Sequence, residues 1–294
     1  MKRNFLAILL VALLVFTSCT SIKTEVENVY VPVDEEVTIK GEKYDIPAIV
    51  TLPEGMEKAP LIIMLHGTAS DKNEAGGAYS KLSPILAENG FASIRFDFPG
   101  CGESTADYTN YSNKTAVRDV EDVLSYAKES GKFDMDRVAI MGWSQGGTDA
   151  LVAAGELDGT FKSVLTWAGA LTGSLSTMFS EEQKNEAYQN GFFVYDPGFR
   201  APLNVSKEWF EDLYAYNVDE IVKKISAPIC SIHGSLDDTV PLSDSEYVQA
   251  VAQNPASRLE IIEGTDHLYG VFSGDDTFFN ILADLTLSWF EETL

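Results

Sequence analysis

Apolar runs of strand length recur along most of the chain. The run at residues 60–66 is continuously apolar, which is typical of a strand buried on both faces of a parallel sheet. Further strands are predicted at residues 91–98, 137–143, 161–169, 228–233 and 258–263. The regular recurrence of such runs favours a single extended sheet over separate hairpins.

Helical segments fill the intervals between these strands. Gly90 and Gly131 directly follow two of them, at the position where a helix commonly stops. The predicted helices cover residues 79–89, 113–130, 146–155, 243–253 and 277–293. Strand–helix repetition at this spacing predicts an α/β fold with a mainly parallel central sheet flanked by helices. Residues 37–40 and 44–52, on either side of Gly41, predict a hairpin ahead of it.

One segment, residues 171–217, departs from this alternation of strands and helices. It separates two strands by far more residues than an ordinary crossover contains. Its many aromatic residues argue against a disordered linker. These residues are Phe179, Tyr188, Phe192, Phe193, Tyr195, Phe199, Trp209, Phe210, Tyr214 and Tyr216. We therefore predict a cap insertion that covers one edge of the sheet.

The N-terminal residues have the pattern of an export signal. Lys2 and Arg3 precede an uncharged apolar run at residues 5–16, which is too short to span a bilayer comfortably. Residues 1–19 end on Cys19 after small residues, which resembles a bacterial lipoprotein signal. That resemblance implies that Cys19 is lipidated and that the protein is exported to the cell envelope.

Phe16 stands where lipoprotein signals usually carry Leu, so ordinary secretory cleavage and an uncleaved anchor remain alternatives. Residues 20–34 have the composition of a polar tether, and residues 35–294 are predicted to be the folded domain. In this interpretation the protein contacts the membrane only through the N-terminal lipid.

The charge balance excludes some classes of partner. The 294 residues include 45 Asp and Glu against 21 Lys and Arg, for a formal net charge of −24. A nucleic-acid-binding surface needs clustered basic side chains, so that role is disfavoured. Three cysteines cannot form a disulfide framework, and no Cys/His zinc pattern or glycine-rich nucleotide motif is present. We expect neither a metal nor an organic cofactor.

The strongest chemical motif is the sequence Gly-Trp-Ser-Gln-Gly-Gly, residues 142–147. It follows an apolar strand and opens a helix, which is the setting of a nucleophile elbow around Ser144. The serine occupies a strained turn, so the residues two before and two after it must be small. Gly142 and Gly146 meet that requirement.

A serine hydroxyl needs a base, and the chain has only three histidines. His267, in the loop after the last predicted strand, fits a general base delivered from a late loop. Asp237 and its neighbour Asp238 follow an earlier strand and offer the carboxylate that such a base requires. We favour Asp237, with Asp238 as the alternative. The order Ser144, Asp237, His267 is that of an α/β-hydrolase triad.

A tetrahedral intermediate carries a negative oxygen that needs preorganised donors. The backbone N–H groups of Thr68 and Gln145 are the natural pair, because Thr68 follows a buried strand and Gln145 follows the serine. His66 is interpreted as a structural residue beside this oxyanion hole.

These motifs resemble the α/β-hydrolase superfamily across about residues 35–294. The matching segments, in order, are LHGTASDKN, SIRFDFPGCGES, GWSQGG, ICSIHGSLDDTVP and IIEGTDH. The chain is most similar to bacterial cinnamoyl/feruloyl-type esterases and related serine peptidase-like hydrolases. Trp143 and Cys101 stand where many of these relatives have His, which leaves the substrate in doubt.

The resemblance implies a serine carboxylic ester hydrolase that acts on cinnamoyl, feruloyl or other small acyl esters. The esterases carry an insertion that shapes the acyl pocket, so Trp209 and Tyr214 of the cap, with Trp143 beside the elbow, are candidate substrate-binding residues. The expected partner is a small-molecule or polysaccharide-linked ester. The alternatives are a serine peptidase of the dipeptidyl or acylaminoacyl type and a ligand-binding lipoprotein without turnover.

Overall fold

The computed structural model describes residues 29–294. The predicted signal peptide, with Cys19, and most of the tether lie outside the described residues. An eight-stranded sheet forms the centre of the molecule, in the order β1-β2-β4-β3-β5-β6-β9-β10. Its strands are β1 (Pro32–Lys40), β2 (Asp45–Pro53), β3 (Ala59–Leu65), β4 (Ala92–Phe96), β5 (Phe133–Trp143), β6 (Ser163–Trp167), β9 (Ile229–Gly234) and β10 (Arg258–Ile262).

Only the first part of this sheet is antiparallel. β1 pairs with β2 as the predicted hairpin, and β2 also runs antiparallel to β4. All the pairings from β4 to β10 are parallel. The prediction of a mainly parallel sheet is confirmed.

The first strand begins earlier than the sequence analysis expected. Pro32 of β1 already pairs with Pro53 at the end of β2. The boundary between tether and domain at residue 35 is therefore three residues too late. Three consecutive acidic residues, Asp34 to Glu36, make the start of this edge strand resemble a polar linker, so the sequence did not indicate the pairing.

Helices cover both faces of the sheet. They are α1 (Ala78–Glu88), α2 (Asn113–Ser130), α3 (Gln145–Glu156), α4 (Thr172–Ser176), α5 (Glu181–Asn190), α6 (Lys207–Ala215), α7 (Val218–Ile221), α8 (Leu242–Val251) and α9 (Thr277–Thr293). α1 and α9 pack on one face, whereas α2, α3 and α8 pack on the other.

The central strand β3 shows why the sequence produces this arrangement. All seven of its residues are buried. Leu61, Ile63 and Leu65 point into the core beneath α2 and α3, while Ile62 and Met64 point into the core beneath α1 and α9. A strand with both faces covered has no polar face, so its sequence is a continuous apolar run.

The segment 171–217 folds as α4, α5, a small hairpin of β7 (Phe192–Tyr195) and β8 (Leu203–Ser206), and α6. Its aromatic residues pack on one another. The Phe179 ring lies 4.9–5.1 Å from the rings of Phe193, Tyr195 and Trp209, mostly edge to face. This insertion, called the cap below, thus has a core of its own, continuous with the core beneath α2 and α3.

No helix within residues 29–294 combines the length and apolar character that a membrane span requires.

Candidate active site

Ser144 lies where β5 turns into α3, and its backbone adopts φ 56° and ψ −120°. A residue with a side chain holds such a conformation only when the surroundings impose it, at a cost of about 1–3 kcal/mol. The neighbouring backbone packs very closely against this turn. A Cβ on Gly142 would collide with the Gly146 carbonyl, and one on Gly146 would collide with the Leu65 carbonyl of β3. Both glycines are therefore required by close backbone approach, as the sequence analysis predicted.

The sheet brings the other predicted residues to the same edge. β3 and β5 are adjacent, so the loop after β3 lies beside Ser144. β9 and β10 are also adjacent, and the loops that follow them carry Asp237 and His267. Because parallel strands end at one edge, four separate segments of the chain converge there.

Asp237, and not Asp238, is the carboxylate that contacts the histidine. Asp237 Oδ2 lies 2.7 Å from His267 Nδ1, and the Asp237 side chain is completely buried. Asp238 is exposed, and its carboxylate accepts a 3.4 Å hydrogen bond from the Thr239 hydroxyl. The structure thus places the favoured aspartate, rather than its neighbour, against the imidazole.

Asp237 is held in its ionised form by its hydrogen bonds. Burial alone would raise the pKa of Asp237, but hydrogen bonds from His233 and His267 hold that pKa well below the usual range for an aspartate. The amides of Thr239 and Val240 also donate to Oδ1, at 2.9 and 2.8 Å. An ionised carboxylate in this position fixes the tautomer of His267, whose Nδ1 then carries the proton.

Ser144 and His267 line the same cavity. Within residues 29–294 the Ser144 hydroxyl makes no hydrogen bond to the His267 ring. Bonds of this kind commonly tighten only when substrate is bound.

The two predicted oxyanion-hole residues are in direct contact. The Thr68 hydroxyl donates a 2.6 Å hydrogen bond to the side-chain carbonyl of Gln145. In the described part of the chain, neither backbone N–H of these residues donates to another protein atom, so both remain available to a ligand. Two N–H groups without a protein partner among residues 29–294 thus lie next to Ser144, as the predicted oxyanion hole requires.

Glu74 supports this loop, and the sequence analysis did not identify it. Its carboxylate accepts hydrogen bonds from the Gly67 amide at 2.5 Å and from the Ala75 amide at 2.9 Å. Burial raises the pKa of Glu74, although the two amides and nearby His66 oppose that rise. His66 itself accepts from the Phe98 amide, which agrees with a structural role. No short motif marks Glu74, because its partner lies seven residues away on a folded loop.

A cavity of about 1070 Å³ opens over Ser144. Its walls come from the loop after β3 that carries Thr68, called the predicted oxyanion loop below, from the cap, and from the loop that carries His267. Apolar side chains dominate the cap and loop sides, notably Leu175, Met178, Phe199 and Phe272. A pocket of this size and character suits a small organic ligand with an apolar body.

Arg200 fastens the cap to the rim of this cavity, and nothing in the sequence pattern pointed to it. Its guanidinium donates to the Gly100 carbonyl at 2.6 Å and to the Ala69 carbonyl at 3.1 Å. These carbonyls belong to the loops after β4 and β3. The cap is thus held by charge-assisted hydrogen bonds to these two loops, both of which line the cavity.

The expectation that Trp209 and Tyr214 line the acyl pocket is wrong for this cavity. Trp209 is buried inside the aromatic core of the cap, and Tyr214 is exposed on the outer side, where it accepts a hydrogen bond from Lys184. Neither contributes to the cavity wall, whereas Trp143 does. The helical spacing of α6 directs Trp209 towards the core of the cap itself.

Comparison with known proteins identifies the family of the chain. The model of the prolyl oligopeptidase family matches residues 78–294. The chain belongs to that family. It is also 25% identical over 252 residues to the YfhR protein of Salmonella typhi, covering 85% of this chain and 76% of that protein.

This prolyl oligopeptidase family member is also similar to a named enzyme and to a solved structure. It is 24% identical over 263 residues to acylamino-acid-releasing enzyme 2 of Oryza sativa subsp. japonica, covering 86% of this chain but only 33% of that enzyme. Est1E from Butyrivibrio proteoclasticus, solved with ferulic acid bound, superposes with a TM-score of 0.73 at 20% identity. That match covers 87% of this chain and 98% of Est1E and shows the shared α/β-hydrolase fold. The protein is accordingly a member of a hydrolase family.

The geometry predicts that the two neighbouring aspartates respond differently to substitution. Asp237→Asn should slow the labelling of Ser144 by a fluorophosphonate on the order of 10⁴-fold, because the imidazole loses its correct tautomer and its ionic partner. Asp238→Asn, the matched control, should label at nearly the wild-type rate. Labelling rates followed by intact-protein mass spectrometry measure both. A larger loss in the Asp238 variant would assign the acid to that residue.

Proposed function

We propose that the protein is a serine esterase that hydrolyses carboxylic esters through an acyl-enzyme on Ser144. The observation that carries this proposal is the buried Asp237–His267 pair, which shares one cavity with a serine held in a strained elbow. A strained serine costs folding free energy, which is difficult to explain without a role in chemistry.

In the proposed first step, Ser144 Oγ attacks the ester carbonyl while His267 Nε2 accepts the hydroxyl proton. The Asp237 carboxylate stabilises the resulting imidazolium. The amides of Thr68 and Gln145 donate to the oxyanion, and loss of one such donor typically costs about 3 kcal/mol of barrier. The intermediate then expels the alcohol, which takes the proton from His267.

Deacylation repeats the same proton transfers with water. His267 accepts a proton from water as the water oxygen attacks the acyl carbonyl, and it returns that proton to Ser144 Oγ as the acid leaves. Every step uses groups of this chain, water and the ester.

We propose cinnamoyl, feruloyl or other small acyl esters as the substrates, either free or attached to polysaccharide. The cavity is large enough for such an acyl group, and Leu175, Met178 and Phe199 supply apolar surface for it. Phe199 and Phe272 are 72% and 68% exposed, which leaves apolar surface at the cavity mouth. The likeness to Est1E, which binds ferulic acid, adds support.

A serine peptidase of the acylaminoacyl or dipeptidyl type is the second candidate. Membership of the prolyl oligopeptidase family and the likeness to the acylamino-acid-releasing enzyme favour it. The chain matches only a third of that enzyme, so this candidate rests on the hydrolase portion alone. A ligand-binding protein without turnover is less consistent with the site, because binding does not require a triad.

We also propose that the protein is exported to the cell envelope and held there by lipid on Cys19. The support is the N-terminal sequence, in which a basic start and a short apolar run lead to small residues and the cysteine.

Ser144→Ala should abolish hydrolysis of short nitrophenyl esters and prevent fluorophosphonate labelling, since it removes the nucleophile. Circular dichroism and thermal unfolding should remain close to wild type, because the hydroxyl makes no hydrogen bond that the fold depends on. An alanine variant that retains most of the ester turnover would contradict the proposal.

A substrate panel should separate the two candidate activities. Methyl ferulate and short nitrophenyl esters should be hydrolysed with kcat/KM well above that of aminoacyl and acylaminoacyl anilides. Ser144→Ala serves as the blank for each substrate. Faster anilide cleavage would identify the protein as a peptidase, and labelling without any turnover would favour a binder.

Lipidation should be visible when the full chain is expressed in bacteria supplied with a labelled fatty acid. The wild type should incorporate the label and sediment with membranes, because diacylglycerol and an acyl chain attach at Cys19. Cys19→Ser should lose both properties while retaining esterase activity. Equal labelling of the two proteins would refute the lipid anchor.

A further inference from the structure

A second buried histidine contacts the carboxylate of the proposed triad. His233 is the last but one residue of β9, and neither its side chain nor that of Asp237 is exposed. Its Nε2 lies 3.2 Å from Asp237 Oδ2, the same oxygen that contacts His267 at 2.7 Å. The two imidazoles therefore approach one carboxylate oxygen, one from β9 and the other from the loop that follows the neighbouring strand β10.

The partners of His233 determine where its proton lies. Nε2 is also 3.0 Å from the Val240 carbonyl, which only accepts hydrogen bonds, so Nε2 must carry a proton. That N–H donates to the Val240 carbonyl, and its nitrogen also lies 3.2 Å from Asp237 Oδ2. Nδ1 lies 2.7 Å from the Ser245 hydroxyl of α8, which donates to it when the ring is neutral. The ring is thus fixed at both nitrogens.

Asp237 consequently has four nitrogen donors within 3.2 Å of its two carboxylate oxygens. Oδ1 takes the Thr239 and Val240 amides, and Oδ2 takes His233 and His267. The three donors other than His267 hold the carboxylate in place, so that it cannot rotate away from His267.

We propose that His233 is a positioning residue, which holds the Asp237 carboxylate in the orientation and with the charge distribution that His267 requires. The role rests on the proposed function, since it assigns Asp237 to the triad. His233 is buried and does not line the cavity over Ser144.

The expected direction of the change in the pH profile follows because His233 and His267 approach the same oxygen of Asp237. The His233 N–H withdraws negative charge from Oδ2, so its removal makes that oxygen a stronger acceptor for His267. A stronger acceptor binds the His267 N–H more tightly and stabilises the imidazolium relative to the neutral ring. The other groups that face this carboxylate are the two loop amides and the buried ring of Tyr269, whose hydroxyl donates to the Ile232 carbonyl. None of them replaces the lost donor.

The test compares His233→Leu, which removes the donor, with His233→Gln, which retains an N–H. In His233→Leu, kcat for a nitrophenyl ester should fall about tenfold or more, the order expected when a residue that orients another is lost. The acid limb of the kcat/KM profile should move to higher pH, with KM little changed. His233→Gln should recover most of the rate and the wild-type limb.

Ser245→Ala provides a second variant if the leucine protein does not fold. It leaves the His233 ring in place but removes the hydrogen-bond partner of Nδ1. The fall in kcat and the shift of the acid limb should therefore appear but be smaller. Ser83→Ala, which removes an equally buried hydroxyl in α1, is the matched control and should leave the acid limb unchanged. A folded His233→Leu, or failing that Ser245→Ala, with an unmoved acid limb and unchanged kcat would overturn the proposal.

A readout that needs no turnover separates this proposal from the esterase activity. The proton between His267 Nδ1 and Asp237 should give a strongly downfield proton resonance in Ser144→Ala. Adding His233→Leu should shift or remove that resonance, and adding Ser83→Ala should not. If the wild type hydrolyses no ester, the proposed function fails, and this resonance still decides the role of His233.

Discussion

The close passage of three backbone segments at the end of β5 is the constraint on which the site depends. β5 must turn into α3 within one residue, and the turn passes directly against the end of β3. Because a single methyl group at Gly142 or Gly146 would collide with carbonyl oxygens, this region tolerates almost no variation in size. The same contact that strains Ser144 also places it beside the predicted oxyanion loop.

The rest of the site is assembled by the sheet rather than by local sequence. Adjacent parallel strands deliver the predicted oxyanion loop, the serine, the carboxylate and the histidine to one edge. Hydrogen bonds then hold each loop: Glu74 fixes the amide before Thr68, and the loop amides fix Asp237. A buried carboxylate is tolerated at each place because several donors satisfy it.

The cap has a different physical basis. It stabilises itself by packing aromatic residues together, and it attaches to the cavity rim through Arg200. A self-supporting cap can vary its cavity-facing residues, such as Leu175 and Met178, without disturbing the triad. This separation explains how one scaffold serves hydrolases with different substrates.

The sequence alone determined the fold class, most of the strands and helices, and the proposed triad, because each depends on a local pattern. An apolar run identifies β3, paired glycines identify the elbow at Ser144, and strand-end loops identify Asp237 and His267.

Only the tertiary structure decided the rest. Trp209 turned inwards and Tyr214 outwards, β1 began at Pro32, and Arg200, Glu74 and His233 acquired partners from other loops or strands. These outcomes depend on contacts between residues that are far apart in the sequence. Sequence spacing does not reveal such contacts.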